Sequence, residues 1–144
     1  VRGDERHFVN VYMLAYEGLG EYAYTSRRDV KWYFRWLLRR DPEGFYTFVI
    51  DLPVGFVACD CNWSSMFEGE VAEIHEIVVH PRWQGKGIGT ALMNVALSYA
   101  TERGKKIVEL WVGIGNCRAI RFYKRFGFEE RDMFGRWLRM VKYL

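Results

Sequence analysis

The chain has 144 residues, half of them hydrophobic, with three cysteines and a formal charge of +3. That length suits one domain, residues 1–144, around a single core. The small charge argues against a nucleic-acid binder, no apolar run approaches the roughly 18 residues of a membrane span, and an odd cysteine count argues against a disulfide scaffold. The first residues lack the apolar core of a signal peptide, so a cytoplasmic protein that needs no membrane is expected. Cys59 and Cys61 flank Asp60, but two thiols without a second ligand pair make a poor zinc site, and no metal is expected.

In chain order, Phe8, Tyr12 and Ala15 at helical spacing predict a helix over residues 5–17, broken by Gly18-Leu19-Gly20. Ser26 or Asp29 can cap a second helix over 30–40, whose apolar face carries Val30, Tyr33, Phe34 and Leu37. Its arginines and Lys31 read as a solvated face. Asp41-Pro42-Glu43-Gly44 is a turn, and a hairpin pairs 45–51 with 54–62. A loop over 63–69 leads to a strand over 71–79. A helix follows over 90–103, then a strand over 107–112, a helix over 117–126 and a last hairpin of 128–131 with 137–143, turning near Gly135.

The densest signal lies where the strand over 71–79 runs into Gln84-Gly85-Lys86-Gly87-Ile88-Gly89 and then a helix. Alternate glycines at a helix start leave backbone N–H groups uncovered at the positive end of its dipole, a site suited to phosphate. The spacing G-x-G-x-G fits neither a dinucleotide-binding turn nor a P-loop. A second segment, residues 116–128, follows the pattern N-x-x-A-x-x-x-Y-x-x-x-G-F, from Asn116 through Ala119 and Tyr123 to Gly127-Phe128.

Together, Q-x-x-G-x-G and this second pattern resemble the two signature halves of the GNAT family of N-acetyltransferases. The resemblance covers residues 44–144 well and the first forty loosely. It implies an α+β fold, an α/β/α sandwich around a mixed, mostly antiparallel sheet. The family's first strand is absent here or reduced to a vestige around residues 1–4. It implies transfer of acetyl from acetyl-CoA to a primary amine by direct attack in a ternary complex. The different-class alternative is a catalytically silent acyl-CoA-binding sensor or interaction module on the same fold.

By the same resemblance, the pantetheine arm pairs with the backbone of Ile77, Val78 and Val79, with the Val78 N–H as oxyanion donor. Gln84, Gly85, Lys86, Gly87, Ile88, Gly89 and Thr90 wrap the pyrophosphate, Lys86 adding positive charge. Asn116 bonds pantetheine, Ala119 and Phe122 line its channel, and Tyr123 serves as general acid to the departing thiolate. A base is needed because an ammonium has no lone pair. Residues two apart on a strand share a face, so Glu73 and His75 point one way and Ile74 and Glu76 the other. Glu73 and His75 are therefore the expected base candidates, Glu76 a structural residue and Glu109 a reserve. The acceptor is left as an amine of a small molecule or a protein, and a homodimer is left open.

Overall fold

A computed structural model describes residues 1–144. Its helices are α1 (Glu5–Ala15), α2 (Arg27–Arg40), α3 (Ile88–Glu102) and α4 (Cys117–Arg125). Its strands are β1 (Phe45–Ile50), β2 (Leu52–Ser65), β3 (Gly69–Val79), β4 (Ile107–Gly113), β5 (Glu129–Phe134) and β6 (Trp137–Tyr143). The strands form one sheet in the order β1-β2-β3-β4-β6-β5, antiparallel except for β3 against β4. The expected layering is present. One core, holding Phe8, Phe34, Phe45 and Phe56, lies between the sheet and α1 with α2. The other, holding Ile74, Leu92, Met93 and Leu110, lies under α3 with α4. No helix is long and apolar enough to cross a membrane.

Several boundaries differ from the periodicity, each for a local reason. The second helix starts at Arg27 because the Ser26 hydroxyl accepts the Asp29 N–H at 3.1 Å. The expected loop over 63–69 is mostly strand, since β2 runs to Ser65 and β3 restarts at Gly69. The Ser65 hydroxyl closes that turn by accepting from the Phe67 and Glu68 N–H groups. Residues Arg2–Asp4 form a 3-10 turn rather than a vestigial strand, and Asp4 accepts a hydrogen bond from Thr47 of the edge strand β1.

Two irregularities of β3 govern everything downstream. Its parallel pairing with β4 covers only Ala72 to Ile74 against Val108 to Leu110, after which the strands part. On the β2 side, Ala58 faces Glu76 whereas Cys59 faces Ile74, so His75 is the extra residue of a β-bulge.

Candidate active site

The parting of β3 and β4 opens a slot through the sheet. Toward α3 and α4 it widens into a groove of about 970 Å³. Toward α1 and α2 it ends in a pocket of about 40 Å³, lined among others by Tyr16, Tyr22, Glu76, Trp111, Asn116 and Tyr123. The smaller space holds little more than one or two waters or an amino group.

The wall of the groove is an unpaired strand edge. The His80 N–H donates to Val54 O at 2.8 Å, so the ladder alternates from that bonded pair. Phe56 and Val78 then form the next bonded pair, and the N–H groups turned to the slot belong to Ile77 and Val79. Val78 thus has its N–H turned to β2 and away from the slot, against its expected part as oxyanion donor. The Val79 carbonyl accepts from Gln84 Nε2 at 3.1 Å, while Gln84 Oε1 accepts from Arg118 of α4 at 2.7 Å. That side chain ties the strand end, the glycine loop and α4 together.

The loop itself depends on its glycines. Gly85 and Gly87 have φ of +75° and +85°, the left-handed region that L side chains rarely adopt. With Gly87 as N-cap, α3 begins at Ile88, earlier than Thr90, and its first internal bond runs from Ala91 N–H to Gly87 O. The N–H groups of Ile88, Gly89 and Thr90 therefore have no partner within the helix. Gly89 is helical and close-packed, since a Cβ there would lie 3.4 Å from the Phe122 ring. The Ile88 side chain is buried in the core, and exposed Lys86 stands outside the groove wall. Arg118, Arg121 and Arg125 of α4 line the groove instead, as do Ala119, Phe122 and Asn116. The Asn116 side chain also caps α4 by accepting the Ala119 N–H.

The expected base residues lie elsewhere than the cleft floor. Glu73 is buried outside both spaces, registered against Glu109. Burial first, then a hydrogen bond with Glu109, pushes its carboxyl up to about 11, and its Oε1 has no hydrogen-bond partner. His75 borders the pocket, but its ring is held between Trp36 and Trp63, with Nε2 2.9 Å from Asp60. Glu109 contacts Ser65 and Arg139, at 2.7 and 3.0 Å.

Glu76 corrects the facing argument. Strict alternation turns it away from Glu73 and His75, toward α3. The bulge at His75 adds one residue and reverses the parity, so Glu76 faces α1 and α2 and enters the pocket. The Tyr16 hydroxyl donates to its Oε2 at 2.5 Å and the Tyr33 hydroxyl to its Oε1 at 3.0 Å. Burial raises its carboxyl to about 7, and the two phenols hold it from rising further. Tyr123 lines both spaces and is buried. Burial, and then the nearby Glu76 charge, keeps its hydroxyl protonated well above the usual tyrosine range.

Tyr22, Trp111 and Trp137 are further residues of the pocket wall. A Cβ on Gly113 would lie 2.4 Å from the Tyr22 ring, and the Tyr22 hydroxyl accepts the Gly115 N–H at 2.8 Å. Only a residue without a Cβ fits at Gly113 and Gly115 beside that ring. No cluster of three or more His, Cys, Asp or Glu side chains is arranged to hold a metal.

Comparison with known proteins follows the same lines. The chain is 54% identical over 143 residues to an uncharacterised N-acetyltransferase of Methanocaldococcus jannaschii, covering 98% of this chain and 63% of that protein. It therefore spans under two thirds of that relative. A crystal structure from Pyrococcus horikoshii superposes with a TM-score of 0.89 at 37% identity, over 97% of this chain and 90% of the other. A Thermoplasma acidophilum N-acetyltransferase solved with coenzyme A shares the fold, with a TM-score of 0.81 at 19% identity over 99% and 94% of the two chains. The family model described as Acetyltransferase (GNAT) family matches residues 8–128, and the chain belongs to that family of acetyltransferases.

Proposed function

We propose that the protein transfers acetyl from acetyl-CoA to a primary amine, with Glu76 as general base and Tyr123 as general acid. The observation that carries this reading is the Glu76 carboxyl at the bottom of the slot, in the same small pocket as Tyr123. A carboxyl raised to about 7 is half ionised near neutrality and basic enough to take a proton there.

The residues present suit acetyl-CoA. The open edge of residues 77–79 offers strand-like pairing to the amides of the pantetheine arm. The first-turn amides of α3 and the α4 arginines offer donors and positive charge to the phosphates. Bound in this way, the thioester lies in the slot, with its carbonyl oxygen toward a slot-facing N–H of β3. The acceptor amine enters from the α1 and α2 side and loses a proton toward Glu76. Its nitrogen attacks the carbonyl carbon, the C–S bond breaks, and the sulfur takes a proton by way of Tyr123. Glu73 and His75 stay outside the proton path.

The test is thiol release from acetyl-CoA across a panel of free-amine peptides, N-blocked lysine peptides, polyamines and n-butylamine. Wild type should turn over at least one class. Glu76→Gln should lose about 10²- to 10⁴-fold in kcat with acetyl-CoA affinity kept, and Tyr123→Phe about 10- to 100-fold. Acetyl-CoA binding without turnover of any amine would defeat the proposal.

A further inference from the structure

Each oxygen of Glu76 accepts a hydrogen bond from a phenol. Tyr16 donates to Oε2 and Tyr33 to Oε1. The two tyrosines are not equivalent. Tyr33 of α2 borders neither the groove nor the pocket; its single hydroxyl hydrogen is shared between Glu76 and the His75 carbonyl, the latter at 2.9 Å, and its ring is stacked on Trp36. Tyr16, the residue that caps α1, borders both spaces and so sits where donor and acceptor meet. We propose that Tyr16 is a catalytic residue, the proton relay between the acceptor amine and Glu76. The proposal rests on the assignment of Glu76 as the base.

The step balances as follows. The bound ammonium gives one N–H proton to the Tyr16 oxygen while the Tyr16 hydroxyl proton moves to Oε2 of Glu76. Tyr16 ends neutral, and Glu76 ends as a carboxylic acid that later returns the proton to solvent. The freed lone pair forms the C–N bond, the C–S bond breaks with its electron pair on sulfur, and a second N–H proton reaches the sulfur through Tyr123. Tyr16 never has to exist as a phenolate. Its burial and the Glu76 charge hold its hydroxyl well above the usual range, which suits a group that passes a proton only as it receives one.

The titratable groups facing Glu76 are Tyr12 and Tyr16 from α1, Tyr33 from α2 and Tyr123 from α4, with His75 beside it on β3. Each phenol that donates to Glu76 lowers its pKa. Removing either hydroxyl therefore moves the Glu76 titration upward. Only removal of Tyr16 breaks the path.

The experiment compares Tyr16→Phe, Tyr33→Phe and Glu76→Gln by pH–rate profile, with n-butylamine as the minimal acceptor and the best amine of the panel beside it. In parallel, the Glu76 carboxyl is titrated by ¹³C NMR in the acetyl-free protein. Wild type should level off above a limb near pH 7. Tyr33→Phe should shift that limb upward and keep the plateau. Tyr16→Phe should shift the NMR midpoint similarly, but its rate at pH 8 should fall about 10- to 100-fold. That rate should keep climbing toward the amine's own pKa, ~10.4 for a lysine-like amine, as Glu76→Gln also does. Recovery at high pH shows a folded, intact site. A Tyr16→Phe plateau equal to that of Tyr33→Phe overturns the relay and leaves Glu76 as base. A Glu76→Gln profile that keeps the limb near pH 7 overturns the base itself, and no turnover of any amine overturns both.

Discussion

Glu73 and Glu109 stand opposite each other on β3 and β4, two buried carboxyls beside a single guanidinium, that of Arg139, which reaches Glu109 at 3.0 Å. Arg139 is shared further with Asp132 and Glu68, at 2.6 and 3.2 Å. Burial first, then the hydrogen bond with Glu109 and the repulsion between the two, keep the proton on Glu73 up to about pH 11.

Glu73→Gln should accordingly be close to silent in catalysis. The amide matches a neutral carboxyl in shape and can donate to Glu109 in the same way. At pH 7 the folded carboxyl is neutral while the unfolded one, near 4.5, is ionised, so the non-titrating variant should be the more stable in thermal unfolding, and kcat should be unchanged. Wild type loses the stability of the neutral form progressively from the unfolded value near 4.5 up to about 11, so the variant's advantage should grow with pH across that window. A large loss of turnover would return Glu73 to the chemistry.

Glu76 gives the opposite sign from a salt-bridged carboxylate. Its folded pKa lies above the unfolded one, so its contribution is full below the unfolded value near 4.5 and is lost as pH rises through about 7. The shift is worth about 3 kcal/mol. Glu76→Gln does not titrate, so between pH 4.5 and 8 the stability difference should tilt toward the variant by up to that amount. Denaturant unfolding at pH 5 and pH 8 reads it directly, and parallel curves would deny the buried, raised carboxyl.

Gly87 is constrained by conformation rather than by crowding within the chain. A Cβ there meets nothing within 4 Å, but φ is +85°. Gly87→Val should cost about 1–2 kcal/mol in backbone strain and project into the phosphate end of the groove. Acetyl-CoA affinity by calorimetry should fall at least about 10-fold. Gly87→Asn, which tolerates the left-handed region, should recover stability and not affinity.

Gly113→Ala tests the pocket roof. The added methyl strikes the Tyr22 ring, which also packs on Trp137 at 5.8 Å. Displacement of the ring should raise KM for the amine by about 10-fold, consistent with the ~1–3 kcal/mol of overpacking. Acetyl-CoA affinity should be unaffected, because Tyr22 does not border the larger groove.

Legibility in the sequence followed what side chains record. The glycine loop was readable because left-handed φ selects a residue type, as at Gly85 and Gly87. The sheet and helices were readable from apolar spacing, apart from ends set by single hydrogen bonds such as that capping α2 at Ser26. Glu76 was misfaced because a bulge is a backbone event: His75 looks like any other strand residue, yet its insertion reverses every side chain beyond it. The groove's arginines were hidden for a related reason. Lys86 lies within the glycine loop itself, whereas the arginines one helical turn or so apart on α4 reach the groove through tertiary packing.

The early parting of β3 from β4 also sets what the protein can and cannot tell apart. Hydrogen bonds from that open edge would grip the arm of the carrier, which is the same before and after the acetyl group leaves. Contacts of this kind hold reactant and spent carrier equally and do nothing for the barrier. The spent thiol form should therefore occupy the slot as a competitor of its own precursor. Escape of that product then becomes a natural brake on turnover, and any selectivity for the loaded carrier has to come from the few atoms around Glu76 and Tyr123.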